Sequence, residues 1–342
     1  MKMIRIALLY TFLVLSTAML AQNGAYQTFK FINMNPSAKA LAMGGARVSQ
    51  SDNDLNSTLL NPALLNNQNN QQASINYLNY IGDSHFGLFN YARQQKFGML
   101  QASILYFSGG KFVQTDETST ITGSFRANET AFICSWSKQL DSVLSVGASV
   151  KYLHSALETY RSNGLAFDLG ASYKHPNQQF TAGIVAKNIG FQMKTYAGNR
   201  ANLPLDVQAG LSYRFEHVPF RVTLTAVQLN RYNLVYVDTS AANNIDPITN
   251  QVVAPDKRVF ANIINHFVVG GEILLLKSFN IRAGFNFKRR DELKVDNYPS
   301  ISGLSLGFGL KLKKMQINYG YARYHFYGNA NSFSLIYELR KG

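Results

Sequence analysis

The stretch Leu205-Asp206-Val207-Gln208-Ala209-Gly210-Leu211-Ser212-Tyr213-Arg214-Phe215 alternates apolar residues with polar or small ones along its whole length. Successive side chains of a strand point to opposite faces, so this segment carries one apolar and one polar face. The same period recurs where Leu144, Val146, Ala148, Val150 and Tyr152 interleave with Ser145, Ser149 and Lys151. It returns over Phe279 to Lys288 and over Leu304 to Leu312. Alternation alone fits a soluble sandwich as well as a membrane barrel.

Three features favour the barrel. The alternating runs span ~10–13 residues, the length of a tilted membrane crossing, against ~5–6 in soluble sheets. Aromatic residues fall near the ends of the apolar faces: Tyr106, Trp136, Tyr152, Tyr173, Tyr213, Tyr319 and Tyr321, where rings settle at headgroup level. The third feature is loop sorting. Strands are expected near 73–81, 84–93, 97–108, 125–137, 143–154, 163–175, 179–190, 204–215, 220–231, 263–275, 279–290, 301–312, 315–324 and 331–340. Every second connection is short, whereas 109–124, 191–203 and 232–262 are long. Short turns on one side and long loops on the other mark an outer-membrane-type barrel, here of about 14 strands.

The bulk properties agree. The chain is 13% aromatic but only 15% charged, and Cys134 is its one cysteine, so no internal disulfide can form. The most apolar late stretch, Ile263 to Leu276, is broken by Asn265, His266 and Glu272, which argues against helical membrane spans. Lys2 and Arg5 precede an apolar run from Ile6 to Leu20, followed by Ala21. That order predicts a cleaved signal peptide over 1–21 and export. The formal net charge is +14. Contact with anionic lipopolysaccharide and plain scattered solvation charge are both open readings; nucleic acid is not expected as a partner of an exported barrel.

Residues 22–72 break the alternation. Pro36 and Ser37 predict the start of a short helix running to Met43, ended by Gly44 and Gly45. Asp52, Asn53 and Asp54 follow, then Asn61-Pro62-Ala63-Leu64-Leu65 and an Asn/Gln-rich lead into the first strand. The segment reads either as a tail or as a plug, because the interior of so wide a barrel needs filling. The domain layout is then a signal peptide (1–21), a plug (22–72) and a barrel (73–342).

The run from Asn35 to Ala46 together with Asn61-Pro62-Ala63-Leu64 resembles the N-terminal hatch of FadL-like barrels. The resemblance implies a 14-stranded barrel with an internal plug, whose motif residues here are Pro36, Ala38, Met43, Gly44, Gly45, Asp52, Asp54, Asn61, Pro62 and Leu64. With Asp54-Leu55-Asn56, Tyr319 to His325 and Ser332-Phe333-Ser334, the chain is most similar to the PorV/PorQ barrels of the type IX secretion system of the Bacteroidetes. That resemblance implies an integral outer-membrane location and a non-enzymatic role, without cofactor. The barrel would anchor a PorZ-like surface protein beside PorU- and PorV-like components, in a complex that trims cargo and joins it to lipopolysaccharide. A FadL-type transporter of hydrophobic small molecules is the alternative.

No catalytic set stands out. Ser135-Trp136-Ser137-Lys138 and Ser51-Asp52-Asn53 match fragments of penicillin-binding motifs. The first falls on a strand instead of a helix N-terminus, and the order is wrong. None of the six histidines has metal-ligand spacing. Charges expected inside the barrel are Glu129, Asp168, Asp206, Arg214, Glu272 and Arg282, bridging strands or touching the plug. Tyr196, Arg200, Tyr232, Tyr236, Lys257 and Arg258 are the outer-loop residues expected to meet a partner.

Overall fold

The computed structural model describes residues 27–50, 52, 54–234, 259–276, 278–293, 301–325 and 328–339. The expected leader lies outside them, as do Tyr236, Lys257 and Arg258. Fourteen antiparallel strands close into one barrel. They are β1 (Gln72–Asn79), β2 (His85–Gln95), β3 (Gly98–Thr115), β4 (Ile121–Gln139), β5 (Leu144–Leu157), β6 (Tyr160–Lys174) and β7 (Phe180–Lys194). The second half comprises β8 (Asp206–Arg214), β9 (Phe220–Ala226), β10 (Phe267–Ile273), β11 (Phe279–Asn286), β12 (Leu304–Leu312), β13 (Met315–His325) and β14 (Gly328–Glu338). Each strand pairs with its neighbour, and β1 closes on β14 from Gln72↔Glu338 to Asn79↔Asn331. Closure leaves no sheet edge, which is what a sheet in lipid requires.

The faces sort as the alternation predicted. Phe132, Val150, Leu169, Ile184, Leu211 and Phe333 are exposed on the outside. Ser135, Ser149, Asp168, Ser212 and Ser332 are buried inside. At the short-turn end Tyr213, Phe215 and Phe220 lie ring to ring at 5.1 and 6.0 Å. Cys134 faces outward as a free thiol. Ser135 points inward to Ser149 at 2.8 Å, whereas Lys138, three residues on, is exposed; a strand cannot bring the two together.

The strand count holds, but the walls differ in height from the expected pattern. The expected loop 109–124 is mostly strand: β3 and β4 run on as a hairpin, with Phe112 stacked on its cross-strand partner Phe125 at 5.3 Å. The gap expected between β5 and β6 shrinks to a tight turn with Glu158 at φ 53°. On the other wall strands stop early. The segment expected to be strand from 263 begins as helix α2 (Val259–Asn265), and the one expected to reach 290 becomes α3 (Phe287–Leu293). Asn286 ends β11 because its side chain accepts the Arg289 N–H at 2.9 Å, the bond of a helix cap.

Most of residues 28–50 and 54–65 are buried and bond to inward-facing residues of the strands, filling the lumen, whereas Asn67 and Gln68 at the short-turn end are exposed. Helix α1 (Ala38–Ala42) starts where the Ser37 hydroxyl accepts the Ala40 N–H, and it ends in a Schellman motif. The Gly45 N–H reaches Ala40 O at 2.8 Å and the Gly44 N–H reaches Leu41 O at 3.2 Å. Both glycines have φ near +90°, which side-chain-bearing residues avoid.

Candidate functional site

Three groups of contacts that hold the plug use residues of the hatch motif. At the first, α1 lies against β12 to β14. Ala38 N–H donates to Ser334 Oγ at 2.8 Å, and Ser332 donates to the Pro36 carbonyl. Met43 and Gly44 press so closely on Gly284 that a Cβ there would meet Met43 C at 2.3 Å.

At the second, Asn61 ties plug to wall. Its Oδ1 accepts the Ala63 N–H at 3.0 Å, which forms the turn that Pro62 opens. Its Nδ2 donates to Val48 O at 2.9 Å and to Ala171 O of β6 at 3.2 Å. Only a wall without side chains admits this contact: a Cβ on Gly170 would fall 2.0 Å from Asn61 Oδ1, and one on Gly147 2.4 Å from Pro62 C. Leu64 is buried beside it. On the opposite wall Asn56 Oδ1 accepts from Ser74, Asn76 and Asn90 at 2.7–2.8 Å.

The third is an ionic network in the inner half of the lumen. Glu272 of β10 accepts from Arg282 Nε at 2.9 Å, Arg221 at 3.2 Å and Gln50 at 3.0 Å, and Lys39 of α1 stands 3.6 Å away. Asp52 pairs with Lys39 and, at 3.3 Å, with Arg47. Arg47 also binds Asp54 at 2.8 Å and Ser57 at 2.6 Å. Burial works against the Asp52 charge, but Lys39, Arg47 and Arg221 outweigh it and hold the carboxyl well below the usual carboxylate range. Burial also pulls Lys39 below the ordinary lysine value, against the attraction of Asp52 and Glu272.

Of the six charges expected inside, Glu272 and Arg282 sit in this network. Asp168 forms a separate node with Lys151 at 2.6 Å, where Asn188 joins it to Asn33 of the plug at 2.7 Å. Asp206 caps local backbone at the Gln228 N–H, 2.8 Å away. Glu129 is only half-buried, facing Ser155 in the outer half, apart from the network. Arg214 keeps the inward parity of β8 and lines the cavity at the short-turn mouth, but is exposed there because it closes its strand one residue before the turn. Among the outer residues, Tyr232 and Arg200 are exposed, whereas the Tyr196 hydroxyl turns back onto Ser155 and is not free for a partner. Lys39, Arg47, Gln50 and Arg221 were not expected in the site. Arg221 and Lys151 fall on the inward parity of their strands, which was the available signal.

Part of the outer half of the lumen is apolar. Phe29 and Phe31 of the plug pack with Leu78, Phe86, Leu105 and Tyr324 of the wall. The luminal cavity outlined by the described residues, about 400 Å³, lies instead at the short-turn mouth and is lined mainly by polar side chains.

This geometry has relatives among solved structures. The toluene transporter TbuX of Ralstonia pickettii superposes with a TM-score of 0.52 at 13% identity, over 90% of this chain and 98% of that one. The monoaromatic hydrocarbon channel CymD gives 0.53 at 15%, over 92% and 100%. The toluene transporter TodX of Pseudomonas putida gives 0.52 at 11%, over 87% and 95%. The fold is that of the FadL-like outer-membrane barrels. No family model and no curated protein sequence matches the chain. At these identities the likeness speaks for the fold alone, including the near-complete coverage of both partners.

Proposed function

We propose that the protein is an integral outer-membrane barrel that serves as an anchor, neither enzyme nor conduit, and that it holds a surface protein at its outer rim. In this reading it plays the part of PorQ in the type IX secretion attachment complex. Its partner is PorZ-like, with PorU- and PorV-like components and lipopolysaccharide nearby. The apolar outer wall with its aromatic row supports the membrane location. The observation that carries the anchoring role is the triple fixation of the plug. Hydrogen bonds and ion pairs to β1, β2, β6, β10 and β14 join the plug to strands on several sides of the barrel. A conduit needs a plug that yields. An anchor gains from one that does not.

Above the barrel, β3 and β4 extend past the last β2 and β5 pairings at Ser108 and Ala127, so the hairpin stands free on both edges. It exposes Phe112, Val113 and Ile121. Together with Tyr232 and Arg200, it is the surface offered to the partner. Affinity purification from native outer membrane tests this: the intact chain should retain one surface protein, and a chain shortened across 111–125 should lose it while staying folded. Equal retention would remove the hairpin from the docking surface.

A hydrocarbon transporter is the second reading. It is favoured by the solved neighbours described as toluene or monoaromatic hydrocarbon transporters and by the apolar part of the outer half of the lumen. It requires that cluster to part around a ligand, which uptake by reconstituted liposomes would detect.

A further inference from the structure

The cavity at the short-turn mouth has a charge imbalance that the plug network does not use. Inside it, the carboxylates of Asp52, Asp54 and Glu272 are already matched by Lys39, Arg47, Arg221 and Arg282. Three more cations ring the opening: Lys174, Arg214 and Lys311. Each stands on the inward parity of its own strand, in the last inward position before the turn, so β6, β8 and β12 aim three positive charges at one space. Among the described residues, none of the three makes an ion pair. Opposing like charges around one opening lowers stability unless an anion is shared between them.

A second observation comes from the floor. The Arg282 guanidinium is fully buried; its Nε and Nη1 are satisfied by Glu272 and Asn318, but Nη2 has no partner. Nη2 is buried at the cavity floor beside Gly309, where a Cβ would fall 2.7 Å from it, 2.6 Å from Asn280 Oδ1 and 2.7 Å from Asn318 Oδ1. A buried guanidinium N–H left without an acceptor is costly, so the floor of the cavity carries an unmet donor.

We infer that this mouth is a binding site for a small, multiply charged anion, one bearing phosphate or carboxylate groups. Its negative groups sit between Lys174, Arg214 and Lys311, above the floor that buries Arg282. The volume of about 400 Å³ suits a small molecule. The polar lining selects against the hydrocarbons carried by the fold's solved relatives. The site lies at the end of the barrel opposite the proposed partner surface, so it stands or falls independently of that proposal.

Titration calorimetry of the full chain in zwitterionic detergent at low salt tests it, with inorganic pyrophosphate and citrate as separate probes. Saturable one-to-one binding of at least one probe, weakened by added salt, is the expected result. Pyrophosphate alone would assign the site to phosphates, citrate alone to polycarboxylates. The triple variant K174Q/R214Q/K311Q should bind at least tenfold more weakly. Gly309→Ala, whose methyl would press on Nη2 and on the Asn280 and Asn318 oxygens and so reshape the floor without changing charge, should weaken binding as well. Lys138→Gln, an exposed outward-facing control, should have no effect. Absence of saturable binding for both probes would overturn the inference. So would full binding by the triple variant and by Gly309→Ala, or an equal loss in Lys138→Gln, which would reduce the effect to diffuse surface charge. Heat-modifiable gel migration verifies that each variant retains its barrel.

Discussion

The wall formed by β3 to β7 and the wall formed by β8 to β12 close one barrel at very different heights. β3 and β4 have 18 and 19 residues, whereas β9 and β10 have 7 each. At ~3.4 Å per residue the first pair extends to roughly 60 Å and the second to roughly 24 Å. A membrane crossing takes ~9–11 residues, so the tall wall overshoots it and the short wall ends within it. Above the short wall the chain turns helical and inward. Arg289 of α3 lies 4.0 Å over the Tyr324 ring and donates to the Gly44 carbonyl at 3.3 Å. Asn286 donates to the same carbonyl at 3.1 Å. The short wall therefore adds the ionic hold and the cover over Gly44, while the tall wall, which takes the Asn61 tie, also projects a hairpin outward. Both walls hold the plug, and the tall one also gives reach.

That division can be broken most severely at Glu272. Glu272→Gln leaves Lys39, Arg221 and Arg282 facing one another in a buried site, and a loss of about 3–5 kcal/mol is expected. Thermal unfolding followed by heat-modifiable gel migration measures it; an effect under about 1 kcal/mol would mean that the network is not what secures the short wall. Asn61→Ala should come next. It removes two buried backbone contacts and the local turn bond, for about 1–3 kcal/mol. It should show as faster proteolysis within 27–71 while the strands stay protected.

Acid sharpens the same side. The folded Asp52 carboxyl titrates below its ordinary value of 3.8, so its contribution is fully present above that value and is lost as pH falls through the depressed one. Plug protection against protease should stay flat from pH 7 to about pH 4 and weaken only below. Asp52→Asn should remove that acid-dependent part. Loss of protection already near pH 6 would point to a different group. The smallest stability effect is expected on the tall wall. The double change Phe112→Ser and Val113→Ser should shift stability by less than about 0.5 kcal/mol, yet weaken partner retention in native membrane.

How much of this was legible in the sequence depends on which rule a residue obeys. Period-two alternation marks every strand, and Asn61-Pro62 and Gly44-Gly45 mark the plug, because capping and left-handed turns are local demands that restrict residue type. Wall height was not legible. The run from Phe279 to Lys288 keeps strand parity, yet the chain leaves the sheet at Asn286, where a side-chain cap and the Gly44 carbonyl compete for it. The hairpin beyond Ser108 was hidden for the opposite reason: Lys111, Gln114 and Thr115 are polar on a segment exposed on both faces, so no burial contrast writes a period into it. Among the site residues, Glu272 and Arg282 could be placed from parity. Their partners Lys39 and Arg47 could not, since the plug has no repeating period and its contacts are set in three dimensions.

In the proposed role a fixed plug shuts the lumen and the partner is met at the rim. Toluene uptake by liposomes holding the intact chain tests it most directly, beside liposomes holding a variant that lacks residues 27–71. The account predicts uptake no faster than protein-free liposomes for the intact chain and a clear increase for the plugless one. Saturable toluene uptake by the intact chain would contradict it.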